Sequence, residues 1–73
     1  MKKDKIVRAN IKKLRKQAGL TQDQLAAKLQ VVDCDLSRAT IANIEAGRRH
    51  VYPHEIRALA KALRVTYQDI IDA

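Results

Sequence analysis

Cys34, His50 and His54 are the residues of this chain that invite a zinc reading. A structural zinc site takes four ligands at recognisable spacing and a catalytic one takes three, so one cysteine and two histidines four apart match neither pattern. No metal and no other cofactor is expected, and no acid–base or nucleophilic pair stands out that would make the chain an enzyme. Cys34 lies between Asp33 and Asp35, whose negative charges disfavour a thiolate. It cannot form an internal disulfide, which sets the chain apart from secreted disulfide scaffolds. What remains is polar recognition. Arg38, Ala39, Thr40, Ala42 and Asn43 are small or polar side chains of no use in a core, and Arg48, Arg49 and His50 follow as a basic cluster.

The overall balance points the same way. Fifteen Lys and Arg against eight Asp and Glu give a formal charge of +7, a surplus that attracts a polyanion. Charge alone does not separate nucleic acid from a membrane surface or an acidic protein. With two tyrosines and no Trp or Phe, the chain lacks the row of flat side chains on which single-stranded bases stack. No apolar run approaches the ~20 residues of a membrane helix, and the basic start MKKDKIVR has no apolar stretch after it. The expectation is a cytoplasmic protein. Its 73 residues suit one domain over 1–73, with residues 1–5 as a charged, flexible N-terminal arm. A core of this size supplies only about 3–5 kcal/mol, so oligomerisation is a natural support.

The elements that must position these residues follow from apolar spacing. Ile6, Val7, Ile11, Leu14 and Ala18 form one helical stripe, closed by Gly19, which can take the left-handed conformation of a helix C-terminus. Thr21 with Gln24 is a capping box that starts a second helix on Leu25, Ala26 and Leu29, its spacing extending to Val32 before Asp33, Cys34 and Asp35 break it. Ser37 caps a third helix with Ile41 and Ile44 inward, Leu36 poised to staple it, and Ala46 and Gly47 at its end. Pro53 opens a fourth helix along Ile56, Leu59, Ala60 and Leu63, and Thr66 with Asp69 caps a short fifth carrying Ile70 and Ile71. Strand alternation is absent, so the fold class is all-α with five short helices.

Leu20-Thr21-Gln22, Leu25-Ala26, Ser37, Ile41, Ile44-Glu45, Gly47 and Leu59-Ala60-Lys61-Ala62-Leu63 together resemble the Cro/C1-type (XRE-like) helix-turn-helix family of phage repressors and bacterial regulators, from about Val7 to Ile71. The resemblance implies a five-helix domain of the lambda-repressor-like DNA-binding type, with helices two and three as the helix-turn-helix and the recognition helix, about 37–46, in the major groove of double-stranded DNA. Its base-reading positions fall on Arg38, Ala39, Thr40 and Asn43: Arg pairs with guanine O6 and N7, Asn with adenine N6 and N7, and the methyls of Ala39 and Thr40 suit a thymine methyl. Phosphate contacts are implied for Thr21, Gln22 and Ser37 at helix starts and for Arg48, Arg49 and His50 in the connector. Arg15 and Glu45 match positions that pair across helices one and three. The family pattern, with Ile70 and Ile71, points to a homodimer on a two-fold related site.

Three departures stand out. Gln30 to Asp35 fill the gap where the family has a tight turn centred on Gly, which brings Asp33 and Asp35 towards the expected phosphates. Val51 stands where Pro is common and Arg64 where Gly is common. A rival reading keeps the fold but docks helices three to five on a protein, as an antirepressor or assembly subunit; an apolar outer face on the third helix would favour it.

Overall fold

Apolar residues recurring at three and four along each segment produce helices with one buried face, and those faces meet in a single core. The computed structural model describes residues 2–72 as α1 (Lys2–Gln17), α2 (Gln22–Val31), α3 (Arg38–Glu45), α4 (Pro53–Leu63) and α5 (Tyr67–Ile71), with no strand among the described residues. The described chain is thus all-helical. Val7 and Ile11 from α1, Leu25 and Leu29 from α2, and Ile41 and Ile44 from α3 close on Ile56, Leu59 and Leu63 of α4 and on Ile70 of α5. α1 packs on α3, α4 and α5, and α2 packs on α3 and α4, so α4 is the floor beneath the helix-turn-helix. No helix among the described residues is long and apolar enough to cross a membrane.

The first turn of α1 corrects one expectation. Residues 2–5 are helical rather than an arm, while Met1 lies outside the described residues. Asp4 in that turn suits the positive end of the helix dipole, and its Oδ2 lies 3.3 Å from His50 Nδ1, which ties the turn to the α3–α4 connector. At the other end Ala18 falls beyond the helix and is exposed, so the buried stripe stops one turn earlier than its spacing suggests. Ile70, a candidate for a second chain, is 0% exposed within its own chain.

The chain leaves four of its helices by one device. After α1 the amides of Gly19 and Leu20 bond back to the carbonyls of Lys16 and Arg15; after α2, Asp33 and Cys34 bond to Gln30 and Leu29; after α3, Gly47 and Arg48 bond to Ile44 and Asn43; after α4, Arg64 and Val65 bond to Lys61 and Ala60. This paired pattern satisfies the last carbonyls and needs a left-handed residue at its centre. Gly19 and Gly47 supply it at φ 73° and 79°, whereas Asp33 and Arg64 adopt it at φ 61° and 58°. The long α2–α3 connection is therefore a helix end with Asp33 in the role of glycine. It is followed by a short extended stretch that buries Leu36 and reaches the Ser37 cap.

A side chain at left-handed φ is strained, and arginine lacks the short polar group with which aspartate offsets that strain. Arg64→Gly should therefore stabilise the domain by about 0.5–1 kcal/mol even after the added flexibility of the unfolded chain. Thermal unfolding should shift upward by a few degrees; an unchanged or lower midpoint would show that the Arg64 side chain contributes packing that exceeds the strain.

Candidate nucleic-acid interface

A guanidinium brought out of water needs a fixed counter-charge, and the two ends of the helix-turn-helix meet on such a pair. Arg15 on α1 is 8% exposed. Its Nε and Nη2 donate to the two carboxylate oxygens of Glu45, the last residue of α3, at 2.8 and 2.9 Å, and its Nη1 donates to the Leu20 carbonyl at 2.8 Å. Gln22, first residue of α2, donates from Nε2 to Glu45 Oε1 at 3.1 Å. Burial opposes ionisation of Glu45. Hydrogen bonds from Arg15 and Gln22, with the charges of Arg15 and Lys12, nonetheless hold its carboxyl below the ordinary value. One carboxylate thereby fixes the end of α3 to the end of α1 and the start of α2.

The outer face of α3 is positioned by that anchor and by its cap. Ser37 Oγ accepts from the Thr40 amide at 3.1 Å and lies 3.0 Å from Thr40 Oγ1, while Arg38 and Ala39 are exposed and Asn43 is half-exposed. Thr21 Oγ1 accepts from the Gln24 amide, and Gln24 Oε1 accepts from the Thr21 amide at 2.8 Å, completing the capping box. Arg38 shares a shallow depression with Thr21, Gln22 and Asp23, so the starts of α2 and α3 lie side by side. Asp33 and Asp35 line a separate depression with Cys34 and His54, against the start of α4.

Within the connector the three basic residues differ. Arg48 donates from Nε to Asn43 Oδ1 at 2.9 Å, which couples an expected phosphate contact to an expected base reader. Arg49 is engaged elsewhere: its Nη1 and Nη2 donate to both oxygens of Glu55 at 3.0 and 2.8 Å, and it lies 5.6 Å from the Tyr52 ring centroid. Glu55 is 4% exposed and also accepts the Tyr52 amide at 2.9 Å. The bond from Arg49 holds its carboxyl below the ordinary value against the effect of burial. His50 is exposed and faces Asp4.

This second pair, a half-buried arginine on a buried carboxylate, has no counterpart in the sequence analysis, where Pro53 alone marks the start of the fourth helix. The acidic residue at its capping position, Glu55, was the available signal. Asn10, which donates from α1 to the carbonyls of Ile70 and Asp72 at the end of α5, has no sequence signal at all. Among the described residues no three His, Cys, Asp or Glu side chains gather as a metal site. Burial, then the charges of Glu55 and Asp35, push the Cys34 thiol up, so it stays protonated.

Comparison with known proteins adds the family. The family described as Helix-turn-helix matches residues 11–70. Among curated proteins the chain is 33% identical over 57 residues to Control protein C.BamHI of Bacillus amyloliquefaciens, covering 78% of this chain and 70% of that protein. No solved structure matches the chain at a significant level.

Because Glu45 and Glu55 ionise more readily folded than unfolded, their contribution is complete above about pH 4.5 and is lost as pH falls through their depressed values. Glu45→Ala should cost about 3 kcal/mol at neutral pH by leaving Arg15 buried without a counter-charge, and should flatten the acid limb of the stability profile. Denaturant unfolding across pH measures both; an unchanged midpoint at pH 7 would show that the pair does not hold the helices.

Proposed function

Because the chain belongs to the Cro/C1-type (XRE-like) helix-turn-helix family of DNA-binding transcriptional regulators, we propose that it recognises a specific duplex sequence by laying α3, with its flanking residues over 37–46, in the major groove. The observation that carries this reading is the face of α3, polar and closely approachable, fixed in tilt by the buried Arg15–Glu45 pair. Arg38 is assigned to guanine and Asn43 to adenine, with the methyls of Ala39 and Thr40 against thymine. The Arg48–Asn43 bond sets the direction of the Asn43 amide before DNA arrives, which lowers the ordering cost of the contact.

Phosphates on one side of the groove meet Thr21, Gln22 and Ser37, whose capped helix starts present free amides and positive dipole ends. On the other side they meet Arg48 and His50. Arg49 supports the connector through Glu55 and adds charge at longer range. Asp33 and Asp35 line, with His54, a depression against α4 that is separate from the one Arg38 shares with Gln22 and Asp23, which supports a DNA-facing surface away from the long turn. The large apolar side chains exposed among the described residues are Val31 and Tyr52, neither on α3, so a protein-docking role for that helix has no apolar face to use.

The whole chain, 1–73, acts as one non-enzymatic DNA-binding domain in the cytoplasm, without cofactor. Its similarity to a control protein supports a regulatory role. Binding as a homodimer on two half-sites about one helical turn apart follows the two-fold logic of such domains, with half-exposed Ile71 rather than Ile70 open to a second chain.

Selection of bound duplexes from a random pool should return a motif with guanine and adenine at the positions served by Arg38 and Asn43. Arg38→Ala should then relax one base position at a cost of about 1–3 kcal/mol. Failure to retain any duplex at low salt would overturn the reading.

A further inference from the structure

Three arginines are at least partly withdrawn from solvent, and two of them are matched: Arg15 by Glu45 and Arg49 by Glu55, each with two hydrogen bonds. Arg8, half-buried on α1, has no hydrogen bond or carboxylate partner among the described residues. Its five donors are therefore not committed within the described chain and remain available to an acceptor from outside it. We propose that Arg8 is a phosphate-contacting residue of the DNA interface, extending that interface from the helix-turn-helix and its connector onto the first helix; this rests on the DNA-binding reading above.

Placement supports the assignment. The Arg8 guanidinium lies over Gly47, at the start of the connector: a Cβ built on Gly47 would fall 1.4 Å from Arg8 Nη1. Gly47 thus serves twice, by taking φ 79° to end α3 and by leaving room for a cation beside Arg48, Arg49 and His50. Arg8, Arg49 and His50 line one small depression together with a single carboxylate, Asp4, which lies 3.3 Å from His50. Arg49 is already neutralised by Glu55 and His50 faces Asp4, so Arg8 is the cation of this depression left open to an anion. A duplex phosphate is the acceptor that arrives next to Arg48 and His50 when α3 is in the groove.

The test compares the wild type, Arg8→Gln and Arg8→Lys, each checked for an unchanged melting midpoint, on a mixed-sequence duplex over a salt series. Loss of one phosphate contact should make the slope of log affinity against log salt shallower by about 0.9 for Arg8→Gln. Affinity should fall by the same factor on the mixed duplex and on a selected one, because a phosphate contact carries no sequence information. Arg8→Lys should retain the wild-type slope. A wild-type slope in Arg8→Gln, or a loss in Arg8→Lys as large as in Arg8→Gln, would overturn the proposal while leaving the wild-type DNA binding intact. A wild type that shows no salt-dependent duplex binding would overturn the DNA reading itself, and this inference with it.

Discussion

Arg15 is nearly removed from water, and the geometry of the helix-turn-helix follows from how that cation is matched. Its planar fork reaches a carboxylate at the far end of α3 and the Leu20 carbonyl just before the cap of α2 in the same plane of donors. The carboxylate in turn accepts from the first residue of α2. α3 is only eight residues long and would be marginal alone, so its direction is set by this pair at one end and by Ser37 and Leu36 at the other. Replacing such a pair by apolar groups can leave stability unchanged. Its value here is directional, since an apolar contact does not fix the angle of a short helix.

The same economy governs the connections. Short helices expose many terminal carbonyls relative to their length, and the repeated left-handed C-terminal turn satisfies them with backbone amides alone. Side chains are then free for other work. Gly47 leaves space for Arg8, Arg48 reaches back to Asn43, and Arg49 reaches forward to Glu55. The connector after α3 is consequently an ordered strip of cations rather than a loose loop. Most of the carboxylates that could oppose them are either paired or turned towards α4.

Much of this was legible in the sequence because it is local. Helix stripes, the caps at Thr21, Ser37 and Thr66, the start at Pro53 and the ends at Gly19 and Gly47 depend on neighbours within four residues. The Arg15–Glu45 pair, thirty residues apart, was reached through family resemblance, and no spacing rule finds it. The Arg49–Glu55 pair escaped because a basic cluster reads as surface charge until a buried carboxylate is seen beneath it. Residues 2–5 looked like an arm because charged residues carry no apolar period. Helical structure there is supported by the stripe that follows and by Asp4 meeting His50 across the fold. Asp33 and Arg64 were read as departures from glycine, although the turn they form has the glycine geometry.

The charge of +7 is therefore not spread evenly in function. Arg15 and Arg49 hold the scaffold, and the residues proposed to meet DNA lie on the starts of α2 and α3, the outer face of α3 and the connector, with Arg8 beside it on α1. Backbone amide chemical shifts followed during titration with a cognate duplex test this division most directly. The account predicts that the largest changes fall at Thr21–Gln22, Ser37–Asn43 and Arg48–His50, with α5 and the exposed Val31 end of α2 unaffected. Changes centred on α4, α5 or Val31, with α3 silent, would contradict it.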